Sequence, residues 1–297
     1  MKGIILAGGR GTRLHPLTLS VSKQLLPVHD KPMIYYPLSV LMLANIRDIL
    51  IISTPHDLGA FQDLLGDGSR LGINLTYAPQ TEPRGIAEAL IIGADHIGAD
   101  DVALILGDNI FHGPGFGEVL QHHVRDLSGC VLFGYRVPDP ERYGVARADD
   151  RGQIVSLEEK PARPRSNMAV TGLYLYENDV VEIARKLRPS ARGELEITDV
   201  NQVYVERRSA VLVDLGRGFA WLDTGTHNSL TDASHYMQLM EQRQGIRVAC
   251  IEEVALNMGF IDAGACHRLG EKLGSSGYGQ YVMRIAAQTP QLLTATP

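Results

Sequence analysis

The fold of this chain is decided by residues 3–14, which read Gly3-Ile4-Ile5-Leu6-Ala7-Gly8-Gly9-Arg10-Gly11-Thr12-Arg13-Leu14. The apolar run at residues 3–7 is typical of a strand that is buried on both faces. The glycines that follow allow backbone N–H groups to approach an anion, and such a loop can lead into a helix whose N-terminus favours phosphate. The stretch therefore predicts a phosphate-binding loop after a buried strand, with a glycine-rich turn that binds no ligand as the alternative.

Short apolar runs of this kind alternate with longer helix-like segments over most of the chain. This alternation predicts a Rossmann-like α/β fold with a mixed, mainly parallel sheet flanked by helices. A helix is predicted over residues 33–44. Strands are predicted over residues 3–7, 49–53, 74–77, 102–106, 130–135, 144–148, 153–158, 169–176 and 210–215.

From Ser229 onward the apolar residues recur at helical spacing, and Gly245 is a predicted helix stop. Short helices are predicted around Met258, Leu269 and Met283. We therefore expect an α/β domain over residues 1–244 and a helical C-terminal extension over residues 245–297. The last eight residues are expected to be frayed.

The composition is that of an ordinary globular chain. Its 297 residues are 44% hydrophobic and 21% charged, and 28 basic against 34 acidic residues give a formal net charge of −6. The apolar content argues against disorder, and the acidic balance argues against a nucleic-acid-binding protein, which is usually basic. Any phosphate binding must therefore depend on a few well-placed Lys and Arg side chains.

Neither membrane insertion nor secretion is expected. The longest apolar runs, such as residues 40–44 and 102–106, have five residues and are too short to span a bilayer. The N-terminus turns polar at Arg10, unlike a secretory signal. The three cysteines form no CxxC motif and cannot all pair in disulfides, which favours a location in the reducing cytoplasm. They are Cys130, Cys250 and Cys266.

The first loop differs from two common nucleotide-binding motifs. The dinucleotide fingerprint GxGxxG requires glycine where Leu14 stands, and the Walker A motif requires lysine where Thr12 follows Gly11. The sequence also contains no HExxH and no GxSxG, so a zinc protease or a serine hydrolase is not supported.

Charged side chains near predicted strand ends are the candidates for chemistry. Lys23 lies ten residues beyond Arg13 among apolar neighbours, which favours a phosphate contact over a solvated charge. Asp108 follows the strand at 102–106, at the end where open α/β sheets bind ligands. Asp223 follows another apolar run, and Mg²⁺ takes one or two carboxylates plus phosphate oxygens. A turn or helix-cap role is an equal alternative for each aspartate.

Residues 157–161 close another predicted strand. Alternation places Glu158 and Lys160 on one face and Glu159 on the other. A carboxylate there would accept sugar hydroxyls and an ammonium would meet a phosphate, although spacing alone favours solvated charges at an exposed strand end. Gln80 offers a donor and an acceptor that suit a pyrimidine edge, whereas most loop glutamines only meet water.

Taken in order, several segments resemble the sugar-nucleotide pyrophosphorylases of the nucleotidyltransferase family. The resemblance covers almost the whole chain, to about residue 285, and its later segments indicate the thymidylyl-transferring type. It implies Mg²⁺-dependent transfer of dTMP from dTTP to glucose 1-phosphate, giving dTDP-glucose and pyrophosphate as the first step of deoxysugar synthesis. The matching segments are residues 3–14, 22–27, 31–37, 106–110, 143–145, 157–161 and 221–226.

The resemblance also assigns site residues. The nucleotide would be bound by Leu6, Gly8, Gly11, Thr12, Arg13, Lys23, Gln24, Gln80 and Gly85. The sugar phosphate would be bound by Gly144, Glu159, Lys160, Val170, Tyr174 and Arg192. The metal ligands would be Asp108 and Asp223, and the residues that assist catalysis would be Arg13, Lys23 and Lys160.

The resemblance further implies a homotetramer with a regulatory nucleotide or nucleotide-sugar site at an interface of the C-terminal helices. Arg84 adds a cation beside Gly85, which bears on base selectivity. One alternative is a related enzyme that uses UTP or another sugar 1-phosphate, because one methyl group discriminates only about 10–200-fold. A non-catalytic nucleotide-sugar sensor is another, whereas a Rossmann oxidoreductase fails on its fingerprint.

Overall fold

The computed structural model describes residues 1–9 and 11–288 of the chain. The predicted fraying of the last eight residues, and the end of the predicted C-terminal extension, lie outside these described residues. The strands are β1 (Lys2–Ala7), β2 (Pro27–Val28), β3 (Lys31–Pro32), β4 (Asp48–Ser53), β5 (Asn74–Pro79), β6 (Val102–Leu106), β7 (Asn109–His112), β8 (Cys130–Arg136), β9 (Gly144–Ala148), β10 (Ile154–Glu159), β11 (Met168–Tyr176), β12 (Ala210–Asp214) and β13 (Ala220–Asp223).

Helices flank this set of strands on both faces and then dominate the C-terminal part. The helices are α1 (Tyr35–Leu43), α2 (Leu58–Leu65), α3 (Glu88–Ile92), α4 (Ala94–Ile97), α5 (Phe116–Arg125), α6 (Val180–Lys186), α7 (Ile197–Glu206), α8 (His227–Gln244), α9 (Ile251–Asn257), α10 (Ala263–Lys272) and α11 (Gly277–Gln288). No helix among the described residues is both long enough and apolar enough to cross a membrane.

The main sheet has the strand order β10-β9-β11-β6-β1-β4-β5, and β8 pairs with both β11 and β12. The strand β1 lies in its centre, parallel to β4 and to β6. The strand β11 is antiparallel to β6, so the sheet combines a parallel half with an antiparallel half. The predicted α/β fold class is confirmed, and the predicted strands match the observed ones to within two residues.

The parallel half places three loops at one edge of the sheet. Leu6 pairs with Leu106 across β1 and β6, so the glycine loop after β1 and Asp108 after β6 leave the sheet side by side. Gln80 follows β5, and its backbone N–H donates to the carbonyl oxygen of Ser53 at the end of β4. Because parallel strands end at the same edge, the three segments converge there.

A two-stranded antiparallel ribbon brings together two segments that lie more than one hundred residues apart in the sequence. In this ribbon β7 pairs with β13, with Asn109 opposite Asp223. The hydroxyl of Thr224 donates to the carbonyl oxygen of Asp108 at 2.8 Å. The ribbon therefore brings Asp108 and Asp223 to the same edge, which their separation in sequence could not predict.

The C-terminal helices are attached to the α/β part by a buried charge cluster. Lys31 lies in the β2–β3 hairpin, and its side chain is 1% exposed. Its ammonium lies 2.6 Å from Asp30 Oδ1 and 3.0 Å from Glu241 Oε1 near the end of α8. Arg247, which follows α8, pairs with the same two carboxylates. Two cations thus balance two anions where α8 meets the hairpin.

We expect Lys31→Met to lower the free energy of unfolding by about 3–5 kcal/mol, because it leaves buried carboxylates with one cation fewer. Lys2→Met is the matched control: Lys2 forms a 3.0 Å pair with Asp48, but that pair is partly exposed. Its loss should change stability by less than about 1 kcal/mol. Urea denaturation measures both, and equal effects of the two changes would contradict a special role for the buried cluster.

Candidate active site

A cleft of about 560 Å³ opens over the edge where the loops converge. Every site residue predicted from the sequence lines this one cleft. They are Leu6, Gly8, Gly11, Thr12, Arg13, Lys23, Gln24, Gln80, Gly85, Asp108, Gly144, Glu159, Lys160, Val170, Tyr174, Arg192 and Asp223. The individual roles assigned to them stay predictions.

The glycine loop after β1 is shaped to allow a close approach. A methyl group on Gly8 would collide with the side-chain oxygen of Gln80. Gly11 has a left-handed φ of 58° and precedes a single 3₁₀ turn, Thr12–Leu14. The loop therefore leads into a 3₁₀ turn and not into the α-helix that such a loop can precede. An anion at this loop would meet loop N–H groups and Arg13 rather than the N-terminal dipole of a helix.

Gln80 is held in the wall of the cleft with 5% of its surface exposed. Its Nε2 donates to Glu88 Oε2 at 2.8 Å and to the Gly85 carbonyl oxygen at 3.4 Å. Gly85 has a φ of 105°, and a methyl group there would collide with the backbone of Leu195. Arg84, the cation noted near this pocket, instead forms an exposed pair with Glu82 at 3.1 Å.

Asp108, Asp223 and Lys23 form a charged group in the middle of the cleft. The Lys23 ammonium contacts Asp108 Oδ2 directly. Burial opposes ionisation of Asp108, but the Lys23 charge and its hydrogen bond outweigh burial and lower the pKa of this carboxyl. Burial and the negative charge of Asp108 raise the pKa of Asp223, against the opposing charges of Lys23, Arg13 and Arg142. The two carboxylates are therefore close enough to repel each other.

The far wall of the cleft carries Glu159 with two cations. Glu159 Oε2 accepts a 2.5 Å hydrogen bond from the Thr198 hydroxyl. Its Oε1 lies 3.3 Å from Lys160 Nζ and 3.6 Å from an Arg192 nitrogen. Arg192 also lies 2.8 Å from Glu196. A carboxylate held in this way can accept hydrogen bonds from hydroxyl groups, and the two cations can donate hydrogen bonds to an anion.

The predicted alternation along residues 157–161 is wrong. Glu159 and Lys160 both line the cleft, whereas Glu158 lies 3.9 Å from Arg165. The cause is that β10 ends at Glu159 and Lys160 takes a left-handed φ of 42°. Its backbone N–H donates to the Tyr143 carbonyl oxygen at 3.0 Å. The turn directs two consecutive side chains toward the same space.

One cation of the cleft is missing from the predicted set. Arg142 donates to Asp139 at 2.6 Å, and its other terminal nitrogen lies 3.8 Å from Asp223 Oδ2. Its guanidinium lies over the ring of Tyr143, which in turn packs against Trp221. Arg142 immediately precedes residues 143–145, which are one of the segments that resemble the family. Its position beside this segment could have identified it as a site residue.

Cations and carboxylates balance among the residues that line the cleft. The five cations are Arg13, Lys23, Arg142, Lys160 and Arg192. The five carboxylates are Asp108, Glu159, Glu194, Glu196 and Asp223. The cleft is thus not a simple basic patch, and a polyanion bound there would compete with carboxylates for four of these five cations.

Comparison with known proteins gives one family and consistent relatives. Residues 2–239 match the family model described as Nucleotidyl transferase. The chain is 56% identical over 285 residues to the glucose-1-phosphate thymidylyltransferase of Mycobacterium tuberculosis, covering 96% of this chain and 99% of the relative. It is 55% identical to the protein of that name from Xanthomonas campestris, covering 96% and 97%. A crystal structure assigned as glucose-1-phosphate thymidylyltransferase from Bacillus anthracis, in complex with a sucrose, has a TM-score of 0.73 and 43% identity, covering 80% of this chain and 94% of that one.

Proposed function

Because the chain belongs to the nucleotidyl transferase family, we propose that it transfers dTMP from dTTP to glucose 1-phosphate and releases pyrophosphate. The product is dTDP-glucose, and the reaction begins a deoxysugar pathway. The observation that carries this proposal is that one cleft is lined both by the Gln80 amide and by Glu159, Lys160 and Arg192. The names of relatives that are more than half identical over nearly the whole chain support the same reaction.

The nucleotide binds on the parallel half of the sheet. The glycine loop allows the triphosphate to approach the backbone, and Thr12 and Gln24 line the same wall. Arg13 and Lys23 hold the β- and γ-phosphates, which leave as pyrophosphate. Gln80 contacts the base. Lys23 must exchange part of its contact with Asp108 for the phosphates as the nucleotide binds.

The sugar phosphate binds on the antiparallel half. Glu159, held by Thr198, accepts hydroxyl groups of the sugar, and Val170 and Tyr174 pack against the ring. Lys160 and Arg192 bind the phosphate. Both cations now face Glu159, so the incoming dianion replaces a carboxylate as their partner.

The reaction requires no nucleophile from the protein. A phosphate monoester has a second pKa near 6, so the sugar phosphate is mostly dianionic at neutral pH. One of its oxygens attacks the α-phosphorus and forms the new P–O bond. The bond from the α-phosphorus to the bridging oxygen breaks, and pyrophosphate leaves with its electron pair. Positioning and charge neutralisation supply most of the rate in such transfers.

Asp108 and Asp223 fit a magnesium site. Their carboxylates repel each other in the cleft, as the raised pKa of Asp223 indicates, and hard oxygen ligands are those that Mg²⁺ prefers. When bound there, Mg²⁺ would neutralise charge on the α-phosphate. A terminal nitrogen of Arg142 lies 3.8 Å from Asp223 Oδ2, and the charge of Arg13 also favours the ionised carboxylate.

We also propose a homotetramer with a regulatory nucleotide or nucleotide-sugar site that uses the C-terminal helices, in a helical extension that begins at residue 245. Large apolar side chains on the extension, Ile246 and Leu273, and Leu239 on the preceding helix α8 are 41–55% exposed, which supports a contact with another subunit. The three cysteines are free and buried, which supports a cytoplasmic location.

The first experiment is pyrophosphate release with glucose 1-phosphate and Mg²⁺, comparing dTTP with UTP, ATP, GTP and CTP. Chromatography identifies the sugar nucleotide. We expect release with dTTP above all others. A preference for UTP would indicate the related uridylyl activity, and no release with any triphosphate would indicate another sugar phosphate or a non-catalytic sensor.

Lys160→Ala should raise the KM for glucose 1-phosphate about 10–100-fold, because a charge-assisted hydrogen bond contributes about 1.5–3 kcal/mol. The KM for dTTP should change less than about threefold on the same reasoning. Steady-state kinetics with each substrate varied in turn measures both constants. Lys186→Ala, an exposed lysine on α6, is the control and should change neither. Equal effects on both substrates would contradict the assignment of Lys160 to the sugar phosphate.

Asp108→Asn should lower kcat by about 10²–10³, as expected when one electrostatic group at the reacting centre is lost. The measurements are turnover at saturating substrates over a Mg²⁺ titration, and thermal unfolding to show that the fold is intact. Asp150→Asn, in the exposed β9–β10 turn, should leave turnover unchanged. Near-normal turnover of the Asp108 variant would remove this residue from the metal site.

A further inference from the structure

The side-chain amide of Gln80 has one orientation in the wall of the cleft. Its Nε2 donates to Glu88 Oε2 at 2.8 Å and to the Gly85 carbonyl oxygen at 3.4 Å. An ionised carboxylate and a carbonyl oxygen only accept hydrogen bonds, so the nitrogen of Gln80 must face them. Both N–H bonds of the amide are therefore directed at protein partners.

The oxygen of the same amide is directed at the cleft. Gln80 Oε1 lies where a methyl group of Gly8 would stand, and Gly8 lines the cleft while Glu88 does not. Glu88 is the first residue of α3 and lies behind Gln80 as seen from the cleft. The wall therefore presents the Oε1 acceptor of Gln80 to a base, whereas the Nε2 donor of the same amide is already bonded to the protein.

We propose that Glu88 is a positioning residue that sets base selectivity by fixing the Gln80 amide with its oxygen toward the nucleotide. This inference rests on the proposed function and deepens it. Thymine and uracil carry an N–H at ring position 3, which donates to Oε1. Cytosine carries a lone pair at that position, which faces Oε1 as a second acceptor.

Such a mismatch lowers kcat/KM for the mismatched nucleotide by a large factor. A site built to pair with a substrate N–H or O–H rejects an analogue that lacks it by up to about 10⁴–10⁵-fold, because buried polar groups are left unpaired. The methyl group of thymine discriminates far less, about 10–200-fold. Selection against cytosine therefore depends on the direction of one amide, and that direction depends on Glu88.

The test compares dUTP with dCTP, which share sugar, phosphates and the absence of the methyl group. The measured quantity is the ratio of kcat/KM for dUTP to that for dCTP, with glucose 1-phosphate saturating. Glu88→Met removes the nearer acceptor at similar length and leaves only the 3.4 Å contact with the Gly85 carbonyl oxygen to hold the amide, so the ratio should fall at least about tenfold. Glu88→Lys offers only donors, so it should turn the Gln80 nitrogen toward the cleft and lower the ratio further.

Glu88→Gln is the conservative variant, because its amide oxygen can still accept from Gln80. It should keep the ratio within about threefold of the unchanged chain. Glu82→Met is the matched control, since Glu82 is an exposed glutamate in the same loop that pairs with Arg84. It should leave the ratio unchanged, and none of these variants should change the KM for glucose 1-phosphate.

Binding gives a second readout that does not depend on turnover. Trp221 is the single tryptophan of the chain and lines the cleft, so its fluorescence reports dUTP and dCTP binding directly. If the unchanged chain transfers no nucleotide, the proposed function fails, while the ratio of the two dissociation constants still tests Glu88. An unchanged ratio in both Glu88→Met and Glu88→Lys would overturn the inference.

Discussion

The pairing of Asn109 with Asp223 across the β7–β13 ribbon is the constraint on which the rest of the cleft depends. The parallel strands alone would place the glycine loop, Gln80 and Asp108 at one edge of the sheet. The ribbon adds Asp223 and Trp221 to that edge, and Trp221 Nε1 donates to Asn109 at 2.6 Å. Without this register the two carboxylates would not lie at the same edge of the sheet.

Charge balance explains how an acidic chain can bring two anionic substrates together. Among the described residues, four of the five cations that line the cleft have a carboxylate partner within 4 Å, as Lys23 has Asp108 and Arg192 has Glu196. These partners keep long, charged side chains in place before the substrates arrive. Under the proposed function, substrate phosphates would replace these carboxylates as partners of cations that are already in place. Such preorganisation reduces the reorganisation needed at the moment of reaction.

The sequence predicted the fold class and the nine described strands of the main sheet, because strand periodicity is a local signal, whereas most of the side chains that line the cleft were assigned by the family resemblance. The family resemblance that assigned their roles is confirmed at the level of the family. Local signals failed where backbone geometry departs from a regular element. Lys160 leaves the strand through a left-handed turn, and the loop at Gly11 ends in a 3₁₀ turn. Contacts such as that of Glu88 with Gln80 depend on tertiary structure and leave no periodic signal.

The buried cluster of Lys31, Asp30, Glu241 and Arg247 has a further consequence for how the chain responds to its surroundings. Pairs at the surface, such as Arg136 with Asp214, weaken as salt rises, because mobile ions screen them. The buried cluster is screened much less. The hydration of charged groups also becomes less favourable on heating, so the penalty for burying such a cluster falls. Heat and high salt should therefore weaken the ion pairs at the surface before they separate α8 from the β2–β3 hairpin.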